Sequence, residues 1–236
     1  MYQMEKLPFR PTQYAEHQLV TAILNGTYPP GTFLPGERAL AEKMNVTRQT
    51  VRELLQRLAG DRWITIQHGK PTIVNDYWTE GGLGILKTLV NFTEYLPPTF
   101  VSHLLQARAV FLPACAKSAL PNQADEFLAH LEKARRLSES PLDFAVFDWR
   151  LQSMMAKRSG NMIYPLILND FAPVFKALGG SYFTLQEGRT ASSAYYARLI
   201  QAIKNGTDVE DIVRTAMAES LQIWEQFQPN RRTHQP

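Results

Sequence analysis

Two arginines one helical turn apart, Arg48 and Arg52, follow Thr47 at the start of a short segment with an apolar stripe. Guanidinium groups at that spacing project from one side of a helix and can grip phosphate oxygens or guanine edges. The Thr47 hydroxyl can cap that helix, whose free amide end favours an anion. A second polar group, His68-Gly69-Lys70, falls at a hairpin tip, where glycine permits close approach to a groove of concentrated negative potential. Each has a plainer alternative at the level of residues alone: a solvated helix face with intrahelical partners for the arginines, and simply a turn for the tip. No Ser-His-Asp or Cys-His set and no phosphate-cradling loop is visible, so the sequence argues for binding and not for catalysis.

The elements that must hold these groups are readable from periodicity. Ala15, Leu19, Ala22 and Ile23 share one face of a helix from Pro11 to Gly26, with Asn25-Gly26 suited to a left-handed cap. Tyr28-Pro29-Pro30-Gly31 cannot continue it. Leu40, Ala41 and Met44 mark a helix over Glu37 to Met44, Asn45-Val46 breaks it, and Val51, Leu54, Leu55 and Leu58 stripe the helix behind Thr47. Trp63 to Ile66 alternates as a strand, Gln67 to Pro71 turns, and Thr72 to Val74 returns, which predicts a β-wing. Asn75 to Gly82 lacks helical period, and Gly81-Gly82 offers flexibility.

The expected organisation is therefore a DNA-binding domain over 1–75, a linker over 76–82 and a second domain over 83–236. The second domain is helical nearly to Gln228, with breaks expected at Pro97-Pro98, Pro121-Asn122, Ser159-Gly160-Asn161, Gly179-Gly180 and Asn205-Gly206. That predicts an antiparallel bundle of about six or seven helices, followed by a frayed tail from Pro229 to Pro236. The fold class is mainly α, a winged helix-turn-helix with a small β-wing joined to a helical bundle.

Composition sets wider bounds. With 236 residues and 44% hydrophobic content, the chain can bury the core of one or two domains. The net charge of +3 decides little, but between Thr47 and Asn75 five basic residues (Arg48, Arg52, Arg57, Arg62, Lys70) face two acids (Glu53, Asp61). Glu5, Lys6 and Arg10 near the start argue against a signal peptide, and no run reaches the roughly 18 apolar residues of a membrane span. The single cysteine, Cys115, lies among alanines and reads as buried; it cannot form an intramolecular bridge, so a reduced, cytoplasmic setting is expected.

The run Pro30-Gly31-Thr32-Phe33-Leu34-Pro35-Gly36-Glu37-Arg38-Ala39-Leu40-Ala41, with Val46-Thr47-Arg48 and Val51-Arg52-Glu53, resembles the reading head of the GntR superfamily of bacterial transcription regulators. Trp63-Ile64-Thr65-Ile66-Gln67-His68-Gly69-Lys70-Pro71-Thr72 resembles one branch of it, and the similarity continues through most of the chain. The resemblance implies DNA contacts at Arg38, Thr47, Arg48, Gln49, Thr50, Arg52, His68, Gly69 and Lys70, with Arg48 and His68 reading most of the bases. Gln49 departs from the threonine it would imply, which bears on operator preference. A homodimer on a pseudo-palindromic double-stranded operator is expected.

Many members of the superfamily hold a metal through an Asp and three His; the matching positions here are Asp148, Gln152, Tyr196 and Ser220, so no metal is expected. His103 and His130 are too far apart in the chain to supply a ligand spacing. The branch instead uses its bundle for the tail of a long-chain fatty acyl-CoA, an effector and not a cofactor. By resemblance Leu105 and Arg108 lie on the pocket helix, Arg108 near the CoA moiety, with Tyr182, Ser220 and Trp224 as further pocket residues. Met217 stands where a glycine is implied beside the ligand. By residue type alone, Tyr182 and Trp224 are equally ordinary core aromatics. The implied activity is repression of fatty-acid degradation genes and activation of unsaturated fatty-acid synthesis genes. Acyl-CoA would release the protein from DNA, with the segment near Asn75 to Leu83 as transmitter. The alternative is a GntR relative sensing a sugar acid or another small carboxylate.

Overall fold

The computed structural model describes residues 11–232. The expectations about the first ten residues, including the absence of a signal peptide, lie outside that range. Helix α1 (Pro11–Leu24) buries Ala15, Leu19, Val20 and Ile23. It closes as its composition dictates: Gly26 takes φ +79°, and the Tyr28 amide donates to the Ala22 carbonyl at 2.9 Å. Helix α2 (Glu37–Met44) ends on Asn45 in the left-handed region, which turns the chain into α3 (Arg48–Gly60). The Thr47 hydroxyl accepts from the Thr50 amide at 3.1 Å, so the cap is formed by the expected residue. The stripe Val51, Leu54, Leu55 and Leu58 is buried, and α1 and α2 both pack on α3.

Strand β1 (Ile64–Thr65) pairs antiparallel with β2 (Ile73–Val74), Ile64 opposite Val74 and Thr65 opposite Ile73. The strands are shorter than the alternation predicts, and they gain a partner that the sequence reading treated only as a connection. Phe33 bridges Ile73, the Gly31 amide donates to the Val74 carbonyl at 2.7 Å, and the Leu34 amide donates to the Thr72 carbonyl at 2.8 Å. The tandem prolines at 29 and 30 hide this pairing, because proline ends a periodic pattern without saying where the backbone goes next.

The segment after the wing is packed and not loose. Asn75 is buried, accepting from the Thr65 hydroxyl at 2.8 Å and donating to the Arg62 carbonyl at 3.0 Å. The Tyr77 ring lies 4.8 Å from Trp63. Gly81 is needed for close approach: any Cβ there would strike the Tyr77 carbonyl. Helix α4 (Ile85–Leu89) buries Ile85, Leu86 and Leu89, and the Phe92 ring lies tilted 4.9 Å from His17 of α1. Through these contacts residues 76–96 belong by packing to the first compact unit, which runs to Leu96.

The second unit, from Pro97, is a helical bundle of α5 (Phe100–Ala119), α6 (Ala124–Leu131), α7 (Pro141–Arg158), α8 (Ile163–Phe183), α9 (Gln186–Asn205) and α10 (Glu210–Arg232). Its core includes Leu112, Cys115, Phe127, Leu151, Met155, Leu199 and Val213, all fully buried. Gly179-Gly180 does not break the bundle as expected, since α8 continues through it. Gly179 lies beneath the Phe175 ring, where a Cβ would sit 3.0 Å away. That packing outweighs the roughly 1 kcal/mol that a helical glycine costs. A break absent from the prediction comes before Ser140, whose hydroxyl accepts from the Asp143 amide at 3.4 Å and, with Pro141, starts α7. Helix α10 runs to Arg232, past the expected start of the tail at Pro229; the remainder of that tail lies outside the described residues. Among the described residues no helix is long and apolar enough to cross a membrane.

Candidate functional site

The first unit presents the start of α3 and the wing tip as exposed polar surface. Several of the expected DNA contacts already have partners there. Arg52 grips Glu37 with two hydrogen bonds, Nε to Oε1 at 3.1 Å and Nη2 to Oε2 at 2.9 Å, and this hydrogen bonding holds the Glu37 carboxyl below its usual range. Arg38 pairs with Glu42 at 3.0 Å, and Gln49 donates to Glu53 at 2.8 Å. Arg52 is thus paired, but with Glu37 of α2 and not with the intrahelical partner of the plainer alternative, whereas Arg38 and Gln49 pair within their own helices. Arg48, His68 and Lys70 have exposed side chains and form no ion pair among the described residues. Gly69 has φ +70°, the conformation that lets the wing tip turn between His68 and Lys70. Thr50 packs its hydroxyl 2.8 Å from that of Thr47. Arg52 and Lys70 line one groove between α3 and the wing, floored by Leu55 and Ile66.

In the second unit the bundle holds a cavity of about 80 Å³ that is partly open to solvent. Its wall is almost wholly apolar and aromatic: Leu104, Leu105 and Phe111 from α5, Trp149 from α7, Phe171, Phe175 and Tyr182 from α8, and Trp224 from α10. The rings brace one another, Phe111 to Phe171 at 6.0 Å and Trp149 to Phe175 at 4.9 Å. Two polar side chains, Arg108 and Gln152, interrupt the wall. Arg108 and Tyr182 also line a smaller cavity of about 20 Å³ with Asp148, Ser192, Met217 and Ser220. The six residues expected at an effector site thus gather around two adjoining cavities. Leu105 and Trp224 face the larger one, Met217 and Ser220 the smaller, and Arg108 and Tyr182 both.

Between the cavities lies a buried polar cluster. Arg108 Nη2 donates to Ser220 Oγ at 2.6 Å, and its Nη1 lies 3.7 Å from Asp148 Oδ2. The Tyr196 hydroxyl donates to Asp148 Oδ1 at 3.1 Å, and Gln152 Nε2 donates to Asp148 Oδ2. Ser220 Oγ donates in turn to the Met217 carbonyl at 2.8 Å. Burial raises the Asp148 pKa, while the Arg108 charge and the Tyr196 and Gln152 hydrogen bonds act to lower it. Burial also pushes the Tyr182 phenol up to about 12, so it stays protonated. Among the described residues no three His, Cys, Asp or Glu side chains converge as a metal site. Of the four positions matched to metal ligands by resemblance, Asp148 and Ser220 meet the Arg108 guanidinium, and Gln152 and Tyr196 bond to the Asp148 carboxylate.

Sequence reasoning missed two features of this region. The aromatic wall left a trace, since Phe171 and Phe175 recur one turn apart on α8. The partnership of Arg108 with Asp148 left none, because it joins residues on different helices and only the packed bundle brings them together.

Comparison with known proteins fits this build. The model of the gntR family of bacterial regulatory proteins matches residues 11–74, and that of the FadR C-terminal domain matches residues 75–234. The fold and site define a transcription regulator with a DNA-binding head and an effector-binding bundle. The fatty acid metabolism regulator protein of Shewanella halifaxensis (strain HAW-EB4) is 40% identical, covering 91% of this chain and 91% of its own. That of Klebsiella pneumoniae (strain 342) is 38% identical, covering 92% of each. The chain belongs to the GntR family, in its group of fatty acid metabolism regulators. A solved structure described as "Lar controls the expression of the Listeria monocytogenes agr system and mediates virulence" shares the fold, with a TM-score of 0.62 and 16% identity over 95% of this chain and 99% of that one.

Proposed function

We propose that this chain is a homodimeric, cytoplasmic regulator of fatty-acid metabolism genes, released from double-stranded operator DNA by long-chain fatty acyl-CoA. It represses degradation genes and activates genes of unsaturated fatty-acid synthesis. The observation that carries this reading is the partly open chamber, aromatic and aliphatic in its lining, with one guanidinium in its wall. A methylene chain entering it gains about 0.8 kcal/mol for each CH₂ removed from water. Leu105, Tyr182 and Trp224 line the acyl path, Arg108 and Ser220 meet the polar head, and Met217 narrows the neighbouring cavity. In the head, Arg48 and His68 read bases; Arg38, Thr47, Gln49, Thr50, Arg52, Gly69 and Lys70 set the register on the backbone. Acyl-CoA controls DNA binding only to the extent that it prefers a dimer arrangement unsuited to the operator.

Thermal unfolding tests the ligand class. Oleoyl-CoA at about a hundred times its Kd stabilises the bundle by about 2.7 kcal/mol. A sugar acid with a divalent metal leaves it unmoved. Stabilisation by the sugar acid and not by oleoyl-CoA overturns the reading in favour of a small-carboxylate sensor.

A further inference from the structure

Accepting the bundle as an acyl-CoA site, we propose that Asp148 makes the chamber selective for neutral acyl derivatives over the free fatty carboxylate. Among the described residues lining either cavity, Arg108 is the one cation. A lone guanidinium beside an apolar chamber would be the natural seat for the carboxylate of a fatty acid. Here the seat is taken. Asp148 lies 3.7 Å from Arg108, and the two side chains are only 6% and 13% exposed. The other neighbours of that carboxylate, the Tyr196 hydroxyl and the Gln152 amide, are donors that, with Arg108, favour its ionised form against the burial that raises its pKa. Glu219, the second acid on the smaller cavity, is half-exposed and paired with Arg198 at 3.3 Å, and it supplies no cation either.

A carboxylate entering beside Arg108 would therefore make a buried cluster of two anions and one cation. Removing an uncompensated charge from water is heavily penalised. A thioester or amide carbonyl brings no charge, and one donor of the guanidinium, the buried Arg108 Nε, is without an acceptor among the described residues. The same residue that anchors Arg108 thus sets the charge of the head group the site accepts. Asp148 is a positioning residue whose effect on the ligand runs through Arg108.

Oleate and oleamide share one chain and nearly one head-group size, so they isolate the charge. Their binding to the full-length protein is measured by titration calorimetry below the micellar concentration, with oleoyl-CoA as reference. The wild type is expected to prefer oleamide over oleate by at least about tenfold, and each bound oleate is expected to carry in about one proton, read from buffers of different ionisation enthalpy. Asp148→Asn is expected to raise oleate affinity by about tenfold or more and to leave oleamide within about threefold. Equal wild-type affinity for the two ligands without proton uptake overturns the proposal, as does a folded Asp148→Asn variant with an unchanged ratio. The proton count keeps the test decisive if that variant does not fold. If oleoyl-CoA itself fails to bind, the acyl-CoA reading falls and this proposal with it; if oleoyl-CoA binds while oleate matches oleamide, the proposal alone falls.

Discussion

The buried pair of Arg108 and Asp148 makes a quantitative demand on the stability of the bundle. Arg108→Met leaves the Asp148 carboxylate enclosed with the Tyr196 and Gln152 donors but without its cation. Breaking one side of a buried ion pair typically costs about 3–5 kcal/mol. The lower end, about 3 kcal/mol, applies here because two hydrogen bonds to the carboxylate survive. Asp148→Asn strands the guanidinium, which keeps its bond to Ser220 and some exposure, so about 2 kcal/mol is expected. The double variant removes both charges from a site that closes around neutral side chains. It should cost about 2 kcal/mol less than the sum of the single variants. Urea unfolding of the four proteins, followed by far-ultraviolet circular dichroism, reads each energy and the coupling between them. Strictly additive losses would refute the claim that the two residues form one electrostatic unit.

Three further expectations touch other parts of the molecule. Thr47→Ala removes the hydroxyl that caps α3 at the Thr50 amide and should cost about 1 kcal/mol in denaturant unfolding of the head; an unchanged midpoint would deny the cap its role. Lys70→Ala, at an exposed wing tip without an ion-pair partner, should leave stability unchanged and lower the slope of log K against log salt by about 0.9. A slope equal to the wild type's would remove Lys70 from the phosphate contacts. Burial holds the His130 imidazole below the ordinary histidine value of 6.5, against the stacked ring of Phe147 at 4.2 Å. Its stability contribution is therefore present above pH 6.5 and lost as pH falls through the lowered value, so His130→Gln should flatten the acid-side decline of the thermal midpoint; parallel declines would count against it.

The helix-turn-helix was legible because its signals are local: a stripe at Val51, Leu54, Leu55 and Leu58, a left-handed Asn45, and Thr47 ahead of the arginines. The features that escaped depend on partners distant in sequence. Arg52 and Glu37 read separately as a DNA contact and an ordinary helix residue, and only folding places them 2.9 Å apart. Gly81-Gly82 read as flexible because glycine permits both looseness and close approach, and the sequence does not say which; the Tyr77 carbonyl beside Gly81 decides it. Gly179-Gly180 raised the same ambiguity inside α8, where Phe175 overrides the local preference. Asp148 was visible only as a metal position stripped of its companions, whereas its new companion, Arg108, comes from a different helix.

The central claim joins ligand and DNA, and a labelled-operator titration at fixed salt addresses both. Wild type and Arg48→Ala are compared with and without oleoyl-CoA. The account predicts tight wild-type binding, weakened by about 1–3 kcal/mol in Arg48→Ala on the operator but little on random DNA, and released by oleoyl-CoA. Operator binding that oleoyl-CoA leaves untouched would contradict it.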